Sequence, residues 1–168
     1  MNNDPAEVQI ARFLAEYTPQ IEAQLREARQ LLRACFARGF ELVFNNYNAL
    51  VFGISPSERS SEAFISVAGY PRWTTLFFLH GAGLQDPNGL LEGNGKQVRG
   101  IRLESAATIG MPQVQALIAQ AARPHASALL AAPRLSTIVK QVATERRPRR
   151  PGPAARRSAT RAGAQHDA

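Results

Sequence analysis

The sequence predicts an α+β fold: one compact domain in which N-terminal and C-terminal helices pack on a mainly antiparallel sheet of about five strands. Two observations predict it. Apolar residues recur at helical spacing near both ends of the chain, and short runs with strand character fill residues 40–103 between them. Strands that follow one another, instead of alternating with helices, favour α+β over a parallel doubly wound sheet. With 168 residues and a 45% hydrophobic composition, the chain can bury one core.

Two amphipathic helices are predicted at the N-terminus. Pro5 stands at the first position of one helix, and Thr18 followed by Pro19 supplies the N-cap and the first position of the other. The second helix is predicted to run to about Arg38 and to end at Gly39, since glycine commonly follows the last residue of a helix.

The strands come next. A polar turn at residues 46–48 predicts that the first two form a hairpin. Four consecutive apolar residues at 76–79 indicate a central strand that is covered on both faces. The predicted strands are residues 40–45, 49–54, 63–68, 73–79 and a fifth marked by Val98, Ile101 and Leu103.

Two more helices are predicted to close the domain. The first starts at Met111-Pro112 and is interrupted at Arg123-Pro124, and a later helical segment runs to about Val142. From residue 144 the composition becomes rich in Arg, Pro and Ala, which cannot bury enough apolar surface to offset the entropy of ordering. The sequence therefore predicts a domain at 1–143 and a disordered tail at 144–168.

Charge is unevenly distributed along the chain. Of the net charge of +7, the tail holds +5, from seven arginines and two acidic residues, and residues 1–143 hold only +2. The tail is predicted to associate with nucleic acid nonspecifically, through phosphates, or else to be a solvated extension. The single cysteine excludes an intramolecular disulfide framework. The absence of a signal peptide or an apolar span predicts a cytoplasmic protein without a membrane segment.

Residues 76–103 contain half of the twelve glycines, with Lys96 and Arg99 where the loop at 81–99 returns to a strand. Such a loop favours an anion-binding or partner-binding site. It matches neither a P-loop nor a dinucleotide fingerprint, because Leu90 and Val98 stand where those patterns need glycine. The alternative is a turn in which Asp86 caps its own backbone and the cations are solvated. The predicted ligand-binding residues are Lys96, Arg99, Asp86, Tyr47 and Arg72.

A metal site is the weaker alternative. Its least implausible ligands are His80, Asp86, Glu92 and Glu104, whose spacing fits no known pattern. No cofactor is expected, and iron is the alternative. No serine or cysteine has an obvious histidine partner, so no catalytic constellation is recognised and an enzyme is left open.

A set of motifs resembles a known family. They are YNAL at 47–50, SPSER at 55–59, YPRW at 70–73, LxDP at 84–87 and LLxGxGKxVR at 90–99. Together they resemble the YdhG-like family, domain of unknown function 1801, over about residues 20–122. The resemblance implies a compact α+β domain with an antiparallel sheet and flanking helices. Some relatives are described as frataxin-like iron chaperones, which use an acidic surface. Here Glu7, Glu16, Glu22 and Glu27 are interleaved with Arg12, Arg26 and Arg29.

The leading functional prediction is a non-catalytic binding or accessory module. Its site is the loop at 81–99, and its partner is a small anionic ligand or a protein. The alternatives are an intracellular iron chaperone and nucleic-acid association through the tail. The oligomeric state is left open.

Overall fold

The computed structural model of the chain describes residues 4–152. Helix α1 (Pro5–Leu14) and helix α2 (Pro19–Ala34) both begin at proline, as predicted. Asp4 caps the first helix by accepting from the Ala6 amide at 3.0 Å, and Thr18 caps the second by accepting from the Ile21 amide at 3.4 Å.

Helix α2 ends before the predicted position. Its last residue is Ala34 instead of Arg38. Gly39 therefore does not cap the helix but stands immediately before the sheet at φ +118°, a conformation that L side chains rarely adopt. A Cβ at this position would lie 2.9 Å from the carbonyl oxygen of Ser55. The glycine is thus required by the first strand pair.

The sheet has six strands in the order β5-β4-β3-β2-β1-β6. Neighbouring strands are antiparallel except for the parallel pair β1 and β6. All five predicted strands are present, and the α+β class is confirmed. The strands are β1 (Phe40–Asn45), β2 (Leu50–Ser55), β3 (Ile65–Gly69), β4 (Thr74–Phe78), β5 (Arg99–Leu103) and β6 (Ser136–Val142).

The sixth strand corrects the prediction of a closing helix to about Val142. Helix α3 (Pro112–Ala122) and the short helix α4 (Ala126–Ala131) are present, but Ala132 takes an extended conformation before Pro133. Proline disfavours helical backbone in the residue before it. The three β-branched residues 137–139 then suit a strand, which pairs with β1 in parallel.

The two faces of the sheet have different neighbours. One transverse row crosses five strands in register and belongs to the hydrophobic core that the helices complete: Val43, Phe52, Val67, Leu76 and Ile101. The adjacent residues along each strand point to the other side and lie outside that core. The expectation that residues 76–79 are covered on both faces is therefore wrong: Leu76 and Phe78 are in the core, but Phe77 is not.

The predicted domain boundary at residue 143 also needs correction. Residues 144–152 are placed against the folded chain, and Arg149 is only 3% exposed. The remainder of the predicted tail lies outside the described residues. No helix within residues 4–152 has both the length and the apolar character needed to cross a membrane.

Candidate functional site

Loop 81–99 is organised by its own side chains. Both carboxylate oxygens of Asp86 accept backbone amides, from Leu90 at 2.9 Å and from Leu91 at 2.8 Å. Asp86 thus caps the turn, as the alternative interpretation of the sequence stated. With both oxygens engaged, Asp86 is a structural residue of the loop.

The two cations of the loop do not converge. Arg99 Nη1 donates to the carbonyls of Gly95 at 2.6 Å and Val98 at 2.8 Å, which fixes the guanidinium to the loop backbone. Lys96 is exposed to solvent. Neither residue lines the cavity described below.

Tyr47 and Arg72 lie at the other end of the sheet. The strand register aligns Asn45, Leu50, Gly69, Thr74 and Leu103 at one end. Tyr47 lies in the β1–β2 turn, just after Asn45, and Arg72 lies in the β3–β4 turn at the same end of the sheet. Loop 81–99 connects the opposite ends of β4 and β5, about 17 Å away along strands of five residues. The predicted set of five ligand-binding residues is therefore divided between two ends of the molecule.

The weaker metal set is divided in the same way. His80 follows β4 at the end of the sheet that carries loop 81–99, whereas Glu104 follows β5 at the opposite end. Within residues 4–152, no three histidine, cysteine or acidic side chains gather into a group that would hold a metal ion. Iron binding stays an untested prediction.

A cavity of about 360 Å³ lies where loop 81–99 begins. Six of the residues that line it are Phe64, Phe78, His80, Leu84, Gln120 and His125. The last residue of β4 and the residues after it supply one wall, and helix α3 with the turn after it supplies the other. The walls are joined by Gln120, whose side-chain amide exchanges two 3.0 Å hydrogen bonds with the backbone of Gln85. The amide pair fixes the start of the loop against α3.

The aromatic wall of this cavity is preassembled. The His125 ring stacks on Phe64 with centroids 4.4 Å apart and planes 14° apart. Phe36 packs against Phe64 in a T-shaped arrangement, with ring centroids 5.7 Å apart, and so holds it in place. Sequence reasoning missed this arrangement, because Phe64 and His125 are sixty-one positions apart and only the fold brings them together.

Burial lowers the pKa of His125, and the nearby His80 imidazole acts in the same direction, while Glu62 opposes both. His125 is therefore held neutral near pH 7. A neutral imidazole offers one donor and one acceptor together with a planar face. The cavity thus combines an apolar aromatic wall with two imidazoles, the usual composition of a small-molecule site.

A second polar site, missed by sequence reasoning, lies at the β1–β2 turn. The guanidinium of Arg149 donates to Asn45 Oδ1 at 2.8 Å, to the Asn46 carbonyl at 2.5 Å and to the Tyr47 carbonyl at 3.1 Å. It also lies over the Tyr17 ring, 5.9 Å from the centroid. These contacts explain why residues predicted to be disordered pack against the domain.

The other arginines of this segment also contact the folded chain. Arg146 pairs with Glu16 at 3.6 Å, Arg147 lies 5.4 Å from the centre of the Tyr47 ring, and Arg150 donates to the carbonyl of Glu16 at 3.3 Å. Four of the seven tail arginines are thus engaged within the chain. The nucleic-acid prediction then depends on Arg156, Arg157 and Arg161, which lie outside the described residues.

A buried ionic network joins the helices to the sheet on the helical side. Glu41 on β1 is 1% exposed and accepts from Arg29 at 2.8 Å, Arg33 at 2.5 Å and Thr137 at 2.8 Å. Arg29 also donates to Glu7 at 2.7 Å, and this hydrogen bond lowers the pKa of the Glu7 carboxyl. Glu7 is therefore neutralised by arginine and does not contribute to an open acidic surface.

No protein-family model matches the chain, and neither a curated protein nor a solved structure matches it. The resemblance to the YdhG-like family stays a prediction carried by the motifs alone.

Proposed function

We propose that the chain is a non-catalytic, YdhG-like binding module that takes a small planar anionic ligand in the cavity where loop 81–99 begins. The observation that carries the proposal is the stacked pair of His125 and Phe64, which lines an apolar cavity together with His80. The proposal keeps loop 81–99 as the binding element. It moves the site from the C-terminal end of the loop, at Lys96 and Arg99, to its N-terminal end.

The chemistry of the walls selects the ligand class. An aromatic ligand would gain dispersion and offset stacking against the part-exposed ring of His125, which the buried Phe64 supports from behind. No carboxylate is among the residues that line the cavity, so the polar side chains that an anionic group contacts there are imidazoles and an amide, with Glu62 close enough to His125 to act on its charge. A volume of about 360 Å³ lies at the lower end of the range for small-molecule sites, which favours a ligand of one or two rings.

An anionic ligand is expected to bind more tightly at acidic pH, where His125 takes up a proton. Desolvation disfavours the imidazolium of His125 in the free protein, and a bound carboxylate would compensate for that cost. Protonation and anion binding would then be linked, so that each promotes the other.

The test is a calorimetric titration of the full chain with 1-naphthoate and with its uncharged counterpart 1-naphthalenemethanol. We expect saturable binding of 1-naphthoate, stronger at pH 5.5 than at pH 7.5, and weaker binding of the alcohol. Replacing His125 by alanine should weaken 1-naphthoate binding about tenfold, the equivalent of roughly 1.4 kcal/mol.

Lys96→Ala is the matched control, since Lys96 is exposed on the same loop but outside the cavity. Binding that survives His125→Ala and is lost in Lys96→Ala would return the site to the loop exit. Absence of saturable heat with the unmodified chain would reject the cavity as a site for planar anions.

A further inference from the structure

The face of the sheet opposite the helical core, which we call the open face, is apolar. Two transverse rows alternate with the core residues. The first row is Ile138, Leu42, Gly53, Ser66, Phe77 and Gly100, and the second is Phe44, Val51, Ala68, Thr75 and Arg102. Phe40 on β1 adds a further ring on the same side. Arg102, on the edge strand β5, is the one charged residue in these rows.

This composition departs from that of a solvated sheet face. An antiparallel sheet with one face in water normally alternates apolar and polar residues along each strand. Here Leu42 is fully buried beneath its neighbours. Five side chains of this face are half-buried and lie outside the hydrophobic core of the described residues: Phe40, Phe44, Val51, Phe77 and Ile138. Contiguous apolar surface of this kind marks an interaction site.

We propose that the open face binds the same face of a second copy of this chain, which gives a symmetric dimer with two sheets packed face to face. Sheets that pack in this way lie about 10 Å apart with their side chains interdigitated. The proposal concerns the face opposite the helical core and does not depend on the ligand proposed above.

The shape of the open face suits a copy of itself. Phe40 and Phe44 form a ridge on β1, and Phe77 forms a second ridge on β4. Between them, Gly53 and Ala68 keep the surface of β2 and β3 low. The ridges are three strand spacings apart, about 14 Å. When a two-fold axis places Phe77 of one copy in the low strip of the other, it necessarily does the reverse as well.

The extent of the open face suits the centre of a dimer interface. Six strands about 4.8 Å apart and about five residues long cover roughly 29 by 17 Å, close to 500 Å² in flat projection. A standard interface buries about 800 Å² from each partner. The open face would supply the apolar centre of such an interface, and exposed side chains of the edge strands, Arg102 on β5 with Lys140 and Gln141 on β6, would supply its rim.

The charge distribution also favours a second copy over a charged partner. The chain carries a net charge of +7, so two copies pair only through a surface that keeps their cations apart. The open face meets this condition, because Arg102 lies at its margin, held over the Trp73 ring at 4.1 Å. Lys140 and Gln141 lie exposed on the other edge strand, β6. An apolar centre with a polar rim is the usual arrangement of an interface.

The test is sedimentation velocity of the full chain at about 50 μM, with light scattering for mass. We expect twice the chain mass of 18.3 kDa for the unmodified protein. Val51→Lys, in the centre of the open face, should give a monomer with an unchanged circular dichroism spectrum. Val8→Lys makes the same chemical change on the exposed side of α1 and should leave the dimer intact.

Phe44→Gln is the second variant, for use if Val51→Lys does not fold, and it too should give a monomer. A monomeric unmodified chain at 50 μM would overturn the proposal, and so would a folded Val51→Lys or Phe44→Gln that remains dimeric. Sedimentation of a monomeric chain with phosphatidylcholine vesicles would assign the face to a lipid surface and likewise reject the dimer.

Discussion

Loop 81–99 and segment 144–152 each contain an arginine that donates to backbone carbonyls, but in opposite surroundings. Arg99 bonds to the Gly95 and Val98 carbonyls at the surface of its own loop. Arg149 bonds to the Asn46 and Tyr47 carbonyls and to the Asn45 side chain in a site where it is 3% exposed. If Arg99 is removed, water can donate to its exposed carbonyl acceptors. If Arg149 is removed, water reaches its buried acceptors less readily.

The two arginines differ most in burial, and burial is expected to set how much each of them stabilises the fold. A buried acceptor that loses its donor bears its full desolvation cost, whereas an exposed one bonds to water. Segment 144–152, which its composition predicts to be disordered, is therefore expected to contribute more to the stability of the fold than Lys96 and Arg99 do.

The largest expected effect is that of Arg149→Ala. Removing the guanidinium leaves Asn45 Oδ1 and the Asn46 carbonyl without their donor, while the Tyr47 carbonyl keeps the Arg147 amide at 2.8 Å. We therefore expect a loss of about 3 kcal/mol in the free energy of unfolding. Urea unfolding followed by circular dichroism measures it. Arg99→Ala is the matched variant, with an expected loss of at most about 1 kcal/mol.

Equal losses of unfolding free energy in the two arginine variants would show that burial does not distinguish them. A larger loss for Arg99→Ala would show that the part-exposed arginine stabilises the fold more than the buried one. Proteolysis adds an independent check, since Arg149→Ala should release segment 144–152 and speed tryptic cleavage after Arg146.

A smaller effect is expected at Asp86. Alanine at this position removes the acceptors of the Leu90 and Leu91 amides, which are part-buried. The expected loss is about 1 kcal/mol in the free energy of unfolding, similar to the loss of a helix N-cap. Asp86→Asn keeps one acceptor, so its free energy of unfolding should lie between those of the unmodified chain and Asp86→Ala. An unchanged unfolding midpoint for Asp86→Ala would show that the cap is not needed.

The smallest effect is expected for Lys96→Ala. Lys96 is exposed, so its removal should change the free energy of unfolding by less than about 0.5 kcal/mol. The same urea titration measures it. A loss above about 1 kcal/mol in the free energy of unfolding would mean that the lysine has a structural partner. The loop and segment 144–152 would then differ less in how much they stabilise the fold.

Much of the fold could be predicted from local patterns. The two helix starts at Pro5 and Pro19 depend on caps and proline, which act within a few residues, and the hairpin of β1 and β2 depends on a short turn. Strand β6 could not be predicted in this way. Its apolar residues suit a helix or a strand, and its pairing with β1 joins residues nearly a hundred positions apart.

The candidate site was less predictable than the fold. Loop composition singled out Lys96 and Arg99, but the structure places the cavity at the loop entrance, where His125 stacks on Phe64. Neither residue is part of a recognisable motif. Their proximity is produced by the packing of α3 and the turn after it against the end of the sheet.

The sequence by itself determined the α+β class, the first five strands and the glycines of loop 81–99. Gly93 illustrates why: it takes φ +129°, and a Cβ there would lie 3.2 Å from the Val98 carbonyl oxygen, a requirement that glycine meets locally. Only the tertiary structure decided that Arg149 is buried, that His125 meets Phe64 and that one sheet face is left open. These depend on contacts between distant residues, which bring specific groups together only after the chain has folded, and no local pattern specifies them.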